Sequence, residues 1–237
     1  MHDFPAQGGE VIPSDMSVRQ KDQALLEGPS SLYDDGMRVA GITAEFCRGF
    51  WRLRAIGPCV TFFGSARFPE DHPYYVMART GAALVGGHGY AVMTGGGPGI
   101  MEAANRGARE AGALSIGCNV QLPQEQKPNP YLDILAEFQH FFIRKVMLVR
   151  YSQAFIILPG GFGTMDEIFE TATLIQTGKI RKFPIVLMGT AYWTDLIGFV
   201  GNSLLPSGAI DAEDLEGVYI CDDPRQAIDF VVSYIEG

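Results

Sequence analysis

The chain has no basic charge to spare. Its 237 residues carry 18 Lys and Arg against 27 Asp and Glu, a formal net charge of −9 at pH 7. That balance argues against the broad basic faces that hold nucleic acid or anionic membrane surfaces nonspecifically. It leaves room for a phosphate ligand, because local N–H groups and one or two arginines outweigh a distant negative field. Cysteine is scarce and scattered: Cys47, Cys59, Cys118 and Cys221 form no Cys-x-x-Cys pair. A disulfide framework is therefore not expected, and Cys59 and Cys118, inside apolar stretches, read as small hydrophobes in a reducing compartment. No basic start followed by an apolar stretch marks a signal peptide, and no uncharged apolar run reaches the length of a membrane span. A soluble cytoplasmic protein is the expectation. Of the four histidines, His88 and His140 lack an acid or Cys at ligand spacing, so no metal site is expected.

Apolar residues make up 47% of the chain and charged residues 19%, enough for a sizeable core. Residues 1–30, rich in Gly, Pro, Ser, Asp and Gln with little periodicity, read as a flexible arm. Over 31–56, apolar residues such as Met37, Ile42, Phe46, Phe50 and Leu53 recur at roughly helical spacing, which predicts a helix packed on a neighbouring domain or subunit. From 57 to 237 strands and helices alternate. Strands are expected at 59–63, 90–93, 113–120, 134–138, 154–158, 183–188 and 218–221. Helices are expected at 73–85, 100–111, 142–151, 164–177, 192–204 and 224–235, with a Pro-rich loop over 121–131. The strands are continuous apolar runs, the mark of a parallel sheet buried on both faces. The fold class predicted is α/β: a single Rossmann-like, doubly wound domain with a mostly parallel sheet flanked by helices, plus an N-terminal helical arm.

Three strand ends carry glycine: Gly64-Ser65, Gly95-Gly96-Gly97-Pro98-Gly99 and Pro159-Gly160-Gly161-Phe162-Gly163. A glycine turn between strand and helix presents backbone N–H groups to an anion. Each alone is as well explained by a tight turn; three at one edge of one sheet point to a shared pocket. Neither the dinucleotide fingerprint nor the P-loop is met, since the acid after Gly-x-Gly-x-x-Gly and the Gly-Lys-Ser/Thr are both missing. Glu167 admits two readings. Thr164-x-x-Glu167 is a capping box, with Thr164 at N-cap and Glu167 at N3. An acid held beside a ligand loop is also positioned for chemistry, and the helix dipole would keep it ionised. Arg144-Lys145 is either a surface basic pair or, with Arg144 turned inward, a partner for Glu167 or a substrate hydroxyl.

These residues resemble a known family. Pro159-Gly160-Gly161-Phe162-Gly163-Thr164-Met165-Asp166-Glu167 is similar to the Pro-Gly-Gly-x-Gly-Thr-x-x-Glu signature of the Lonely Guy (LOG) family, and Arg144-Lys145 to its Arg-Lys pair. Thr94 to Ala108 resembles its second glycine loop and helix, and Phe63-Gly64-Ser65-Ala66-Arg67 its first. The resemblance covers about residues 57–235. It implies a homodimer that hydrolyses the N-glycosidic bond of nucleoside 5′-monophosphates, AMP or cytokinin riboside monophosphates, without a cofactor. Carried over, Glu167 and Arg144 are the catalytic pair, and Gly160, Gly161, Phe162, Gly163 and Thr164 hold the 5′-phosphate. Gly64, Ser65, Gly96, Gly97, Gly99, Lys145 and Asp166 complete the substrate site, with Met101 against the base. Phe142 departs from the shorter plant-type members, which carry His there. The loop Leu122-Pro123-Gln124-Glu125-Gln126 and the N-terminal arm look like a longer bacterial-type branch. No Lys sits in a pyridoxal-phosphate setting. A related glycine loop also occurs in proteins resembling molybdenum-cofactor carriers, which leaves a noncatalytic nucleotide- or cofactor-binding carrier as the alternative.

Overall fold

The computed structural model describes residues 21–26, 28, 31–121 and 127–237. Most of the expected arm over 1–30, and the segment 122–126 of the Pro-rich loop, lie outside these. Within the arm, α1 (Lys21–Leu26) is helical rather than irregular. Seven strands are described: β1 (Cys59–Phe63), β2 (Ala91–Thr94), β3 (Ser115–Val120), β4 (Ile134–Phe138), β5 (Ala154–Ile157), β6 (Ile185–Met188) and β7 (Val218–Cys221). They form one sheet in the order β4-β3-β2-β1-β5-β6-β7, every neighbouring pair parallel.

Both faces of the sheet are covered, which is why its strands read as unbroken apolar runs. Val60 and Phe62 point to one face and Cys59 and Phe63 to the other, all buried. The first face packs α3 (Pro73–Gly87), α4 (Ile100–Glu110) and α8 (Pro224–Glu236) through Tyr75, Ala103 and Ile228. The second packs α2 (Leu32–Leu53), α5 (Phe141–Arg150), α6 (Phe162–Gln176) and α7 (Thr190–Phe199) through Leu53, Ile143, Ile168 and Trp193. The helix expected over 192–204 is α7 followed by a π-helical turn, Val200–Leu204. None of the described helices is long and apolar enough to cross a membrane.

The predicted N-terminal helix packs on the sheet and helices of the same chain. α2 crosses the edge strand β4, where Arg52 Nε donates to the Leu135 carbonyl at 3.2 Å. A Cβ on Gly49 would stand 2.8 Å from Met147 Cε and 2.9 Å from Phe138 Cε1, so glycine lets α2 seat directly on α5 and β4. Covering an edge strand this way blocks sheet-to-sheet association.

The order of the strands reverses between β1 and β5, the place where open α/β sheets bind ligands. The ladder between them runs on into their loops: Leu158 N–H donates to the Phe63 carbonyl at 2.9 Å and Ser65 N–H to that of Pro159 at 3.0 Å. Ile100 N–H donates to the Ser65 carbonyl at 3.0 Å. All three glycine-bearing strand ends are thereby bonded into one rim.

Candidate active site

Helix α6 opens on this rim. Its N-cap is Gly161, with no side-chain cap bond, so the expected capping box is not formed. Thr164 is the third helical residue and Glu167 the sixth, too far in for Glu167 to reach back to the N-cap. Thr164 N–H and Met165 N–H turn to the Gly161 carbonyl at 3.0 and 3.1 Å. Phe162 N–H and Gly163 N–H find no acceptor among the described residues and face outward, as an anion site requires. Gly160 is demanded by space: a Cβ there would collide with Thr164 Oγ1 and stand 3.0 Å from Ser65 N. Tyr192 Oη fixes the turn by donating to the Gly160 carbonyl at 2.6 Å.

A cleft of about 580 Å³ lies over this helix start. Gly64, Ser65 and Arg67 wall it from the β1 loop, and Gly95 and Met101 from the β2 loop and α4. Arg144 of α5 and Gly161, Phe162, Gly163, Thr164 and Glu167 complete it. Phe162 projects almost fully exposed at the rim.

The two charged groups differ sharply from surface ones. Glu167 is 3% exposed and its Oε2 has no hydrogen-bond partner. Burial pushes its carboxyl up to about 7, against the opposing pull of Arg144 and Lys145. Burial therefore works against the expectation that the helix dipole keeps this carboxylate ionised. Arg144 is turned inward, and burial lowers its pKa while the charge of Glu167 raises it. Its Nε donates to the Cys118 carbonyl at 2.9 Å, and a Cβ on Gly95 would stand 2.5 Å from its Nη2. Arg144 and Glu167 form no direct ion pair; they flank the cleft and act on each other through its space.

The remaining predicted residues stand back from the cleft wall. Lys145 binds Asp166 at 3.0 Å and Glu170 at 2.5 Å, which ties α5 to α6. Gly96 and Gly99, at φ 72° and 67°, shape the second loop. A Cβ on Gly99 would stand 2.5 Å from the Ser65 carbonyl. Asn129 holds Gly96 and Gly97 by donating to their carbonyls at 2.9 and 3.0 Å. It joins a buried network in which Thr94 Oγ1 donates to Asn105 Oδ1 at 2.6 Å and Asn105 Nδ2 to Ser115 Oγ at 2.9 Å.

Three features escaped sequence reasoning. Gly95 makes room for Arg144, but its neighbours in the glycine run carry the same signal. Arg67 lines the cleft and has no acid partner among the described residues; its place two residues past Gly64-Ser65 was the available clue. His140 does have an acid partner, Glu45, at 2.9 Å and 95 positions away in sequence. Among the described residues no group of three or more His, Cys, Asp or Glu side chains is arranged to hold a metal ion.

A family model described as "Possible lysine decarboxylase" matches residues 101–231. A cytokinin riboside 5′-monophosphate phosphoribohydrolase of Mycobacterium tuberculosis is 31% identical over 155 residues, 65% of this chain and 82% of that protein. One from Oryza sativa subsp. japonica is 30% identical over 172 residues, 71% of this chain and 68% of that protein. Among solved structures, a structural-genomics X-ray structure superposes with a TM-score of 0.59 at 24% identity, over 74% of this chain and all but 1% of that one. A molybdenum cofactor carrier protein from Chlamydomonas reinhardtii gives 0.54 at 25% identity, over 76% of this chain and 99% of that one. The family model spans more than half of the chain and both curated relatives carry the phosphoribohydrolase name, so the chain belongs to the LOG family.

Proposed function

We propose that the protein hydrolyses the N-glycosidic bond of nucleoside 5′-monophosphates, releasing free base and ribose 5-phosphate. The observation that carries this is Glu167: a buried carboxyl with an unpartnered oxygen, facing a cleft whose floor is an uncapped helix N-terminus. The N–H groups of Phe162 and Gly163 take the 5′-phosphate, with the Thr164 hydroxyl and the Arg67 guanidinium beside them. Binding energy gathered there, away from the reacting bond, holds the ribose against Glu167. The base extends toward Met101. As the C1′–N bond lengthens, the sugar gains oxocarbenium character. The Glu167 carboxylate stabilises that charge and takes a proton from the attacking water. The water oxygen bonds to C1′, the bonding pair leaves with the base nitrogen, and that nitrogen receives, by way of solvent, the proton that Glu167 took, which restores the carboxylate. Arg144, held by Cys118, supplies a fixed fork of donors for the ribose oxygens.

A carboxyl titrating near 7 is suited to this work at neutral pH. Base release from AMP should therefore rise with pH through about 7 as Glu167 loses its proton. Chromatography of free adenine checks both points; no base released from AMP, GMP, CMP or a cytokinin riboside monophosphate by folded protein sinks the proposal. The carrier reading draws support from the likeness to the Chlamydomonas reinhardtii protein. Glu167→Gln separates the two. A hydrolase loses at least about 10²-fold in turnover while AMP binding persists; a carrier changes in neither respect.

A further inference from the structure

Helix α5 carries Arg144 in its first turn, yet the groups that cap this helix come from the N-terminal helices. His140, at its N-cap, makes no side-chain cap bond. Glu45 of α2, 2% exposed, lays its carboxylate against the helix start instead. Its Oε1 accepts Gln139 N–H at 2.7 Å and His140 N–H at 3.1 Å, and its Oε2 lies 2.9 Å from His140 Nδ1. Asp22 of α1 accepts Phe141 N–H at 2.9 Å. Three successive N–H groups are thus taken up by two carboxylates, at the helix end where negative charge is favoured.

His140 passes the constraint on, because its carbonyl accepts Arg144 N–H at 3.3 Å. Two hydrogen bonds therefore separate the Glu45 carboxylate from the Arg144 backbone. The far end of the Arg144 side chain is held independently by Cys118. Gly49, one turn after Glu45, brings α2 close enough to α5 for this reach. The clamping groups themselves, Asp22 and Glu45, and Gly49 beside them, all precede the stretch matched by the family model, which begins at residue 101.

We propose that Glu45 is a positioning residue: by clamping the start of α5 it sets how deeply the Arg144 guanidinium stands in the cleft. The N-terminal helices then belong to the working part of the enzyme rather than forming an appendage. This rests on the reading of Arg144 as a group that touches substrate. Small displacements of such a group cost rate far more than they cost binding.

The test compares full-length Glu45→Ala and Glu45→Gln with the wild type, at a temperature where circular dichroism shows each folded. With AMP, Glu45→Ala is expected to lower kcat about 10- to 100-fold, with KM shifted by no more than about 3-fold. Glu45→Gln keeps an acceptor oxygen for the backbone N–H groups and should recover most of that loss. Hydrogen exchange should quicken in peptides covering 139–150 while β1 and β5 stay protected. A purely structural role predicts unchanged kcat in folded Glu45→Ala, or exchange that quickens evenly across the sheet; either result overturns the inference. Should Glu45→Ala not fold, Glu45→Asp draws the carboxylate back by one methylene, and it must still lower kcat and loosen 139–150. If the wild type releases no base, the proposed function fails, and the exchange measurement alone decides whether Glu45 holds α5.

Discussion

Glu167 is costly to ionise. Its folded pKa of about 7 stands above the ordinary 4.5 because burial disfavours the charge. The fold therefore favours the protonated form: that contribution is fully present below pH 4.5 and is lost as pH rises through 7. Glu167→Gln, which stays neutral, should match the wild type in stability at pH 4.5 and exceed it at pH 8 by up to about 2–3 kcal/mol. Denaturant titrations at the two pH values check this, and equal stability at pH 8 contradicts it. The variant that removes the chemistry should thus be the more stable protein, the trade expected of a strained site. Arg67 works at the same scale. Arg67→Ala removes an unpaired cation from the cleft, and should raise KM for AMP about 10-fold or more while leaving weak adenosine binding unchanged. Steady-state kinetics with AMP, run without and with adenosine as a competing ligand, decides it. Glu167 and Arg144 were legible in the sequence by their company in a motif. The local pattern alone pointed Glu167 to a cap, because spacing says nothing about where a helix begins. Gly161 took the N-cap, and Glu167 was carried inside.

The elements themselves were largely readable, since buried parallel strands announce themselves as apolar runs ended by glycine. Ends were less so. α6 starts two residues early because Phe162 and Gly163 have no side-chain demand against helix, and the π-turn after α7 has no apolar signature of its own. The Glu45–His140 contact was invisible because it joins residues from two elements far apart in the chain. Close packing between helices was hidden in the same way. Gly107 of α4 lies so near α3 that a Cβ there would run into the Arg79 carbonyl oxygen, which is backbone and cannot swing aside. Gly107→Ala should therefore destabilise the protein by about 1–3 kcal/mol, although alanine is the better helix former. Thermal unfolding measures the sign: a rise in Tm would mean that α3 and α4 have room to part.

Across the whole molecule, the exposed apolar surface is unevenly shared. Phe142 and Val146, four apart on α5, and Phe169 on α6 are all exposed, and Lys145 locks their two helices together through Asp166 and Glu170. Apolar side chains left exposed on two neighbouring helices are the kind that an association would cover, and these are the helices that carry Arg144 and Glu167. A second copy of the chain seated there would stiffen both. A homodimer is therefore expected, with a mass twice the 25.8 kDa of the chain by light scattering. Each chain carries a net charge of −9, so repulsion opposes the association, and raised salt should strengthen it by screening. Val146→Asp sets a charge among these exposed side chains without touching the cleft. It should give a folded single-chain species whose base release falls together with its mass. A wild type that runs at single-chain mass at micromolar concentration, in low and high salt alike, would overturn the homodimer and this use of the exposed side chains.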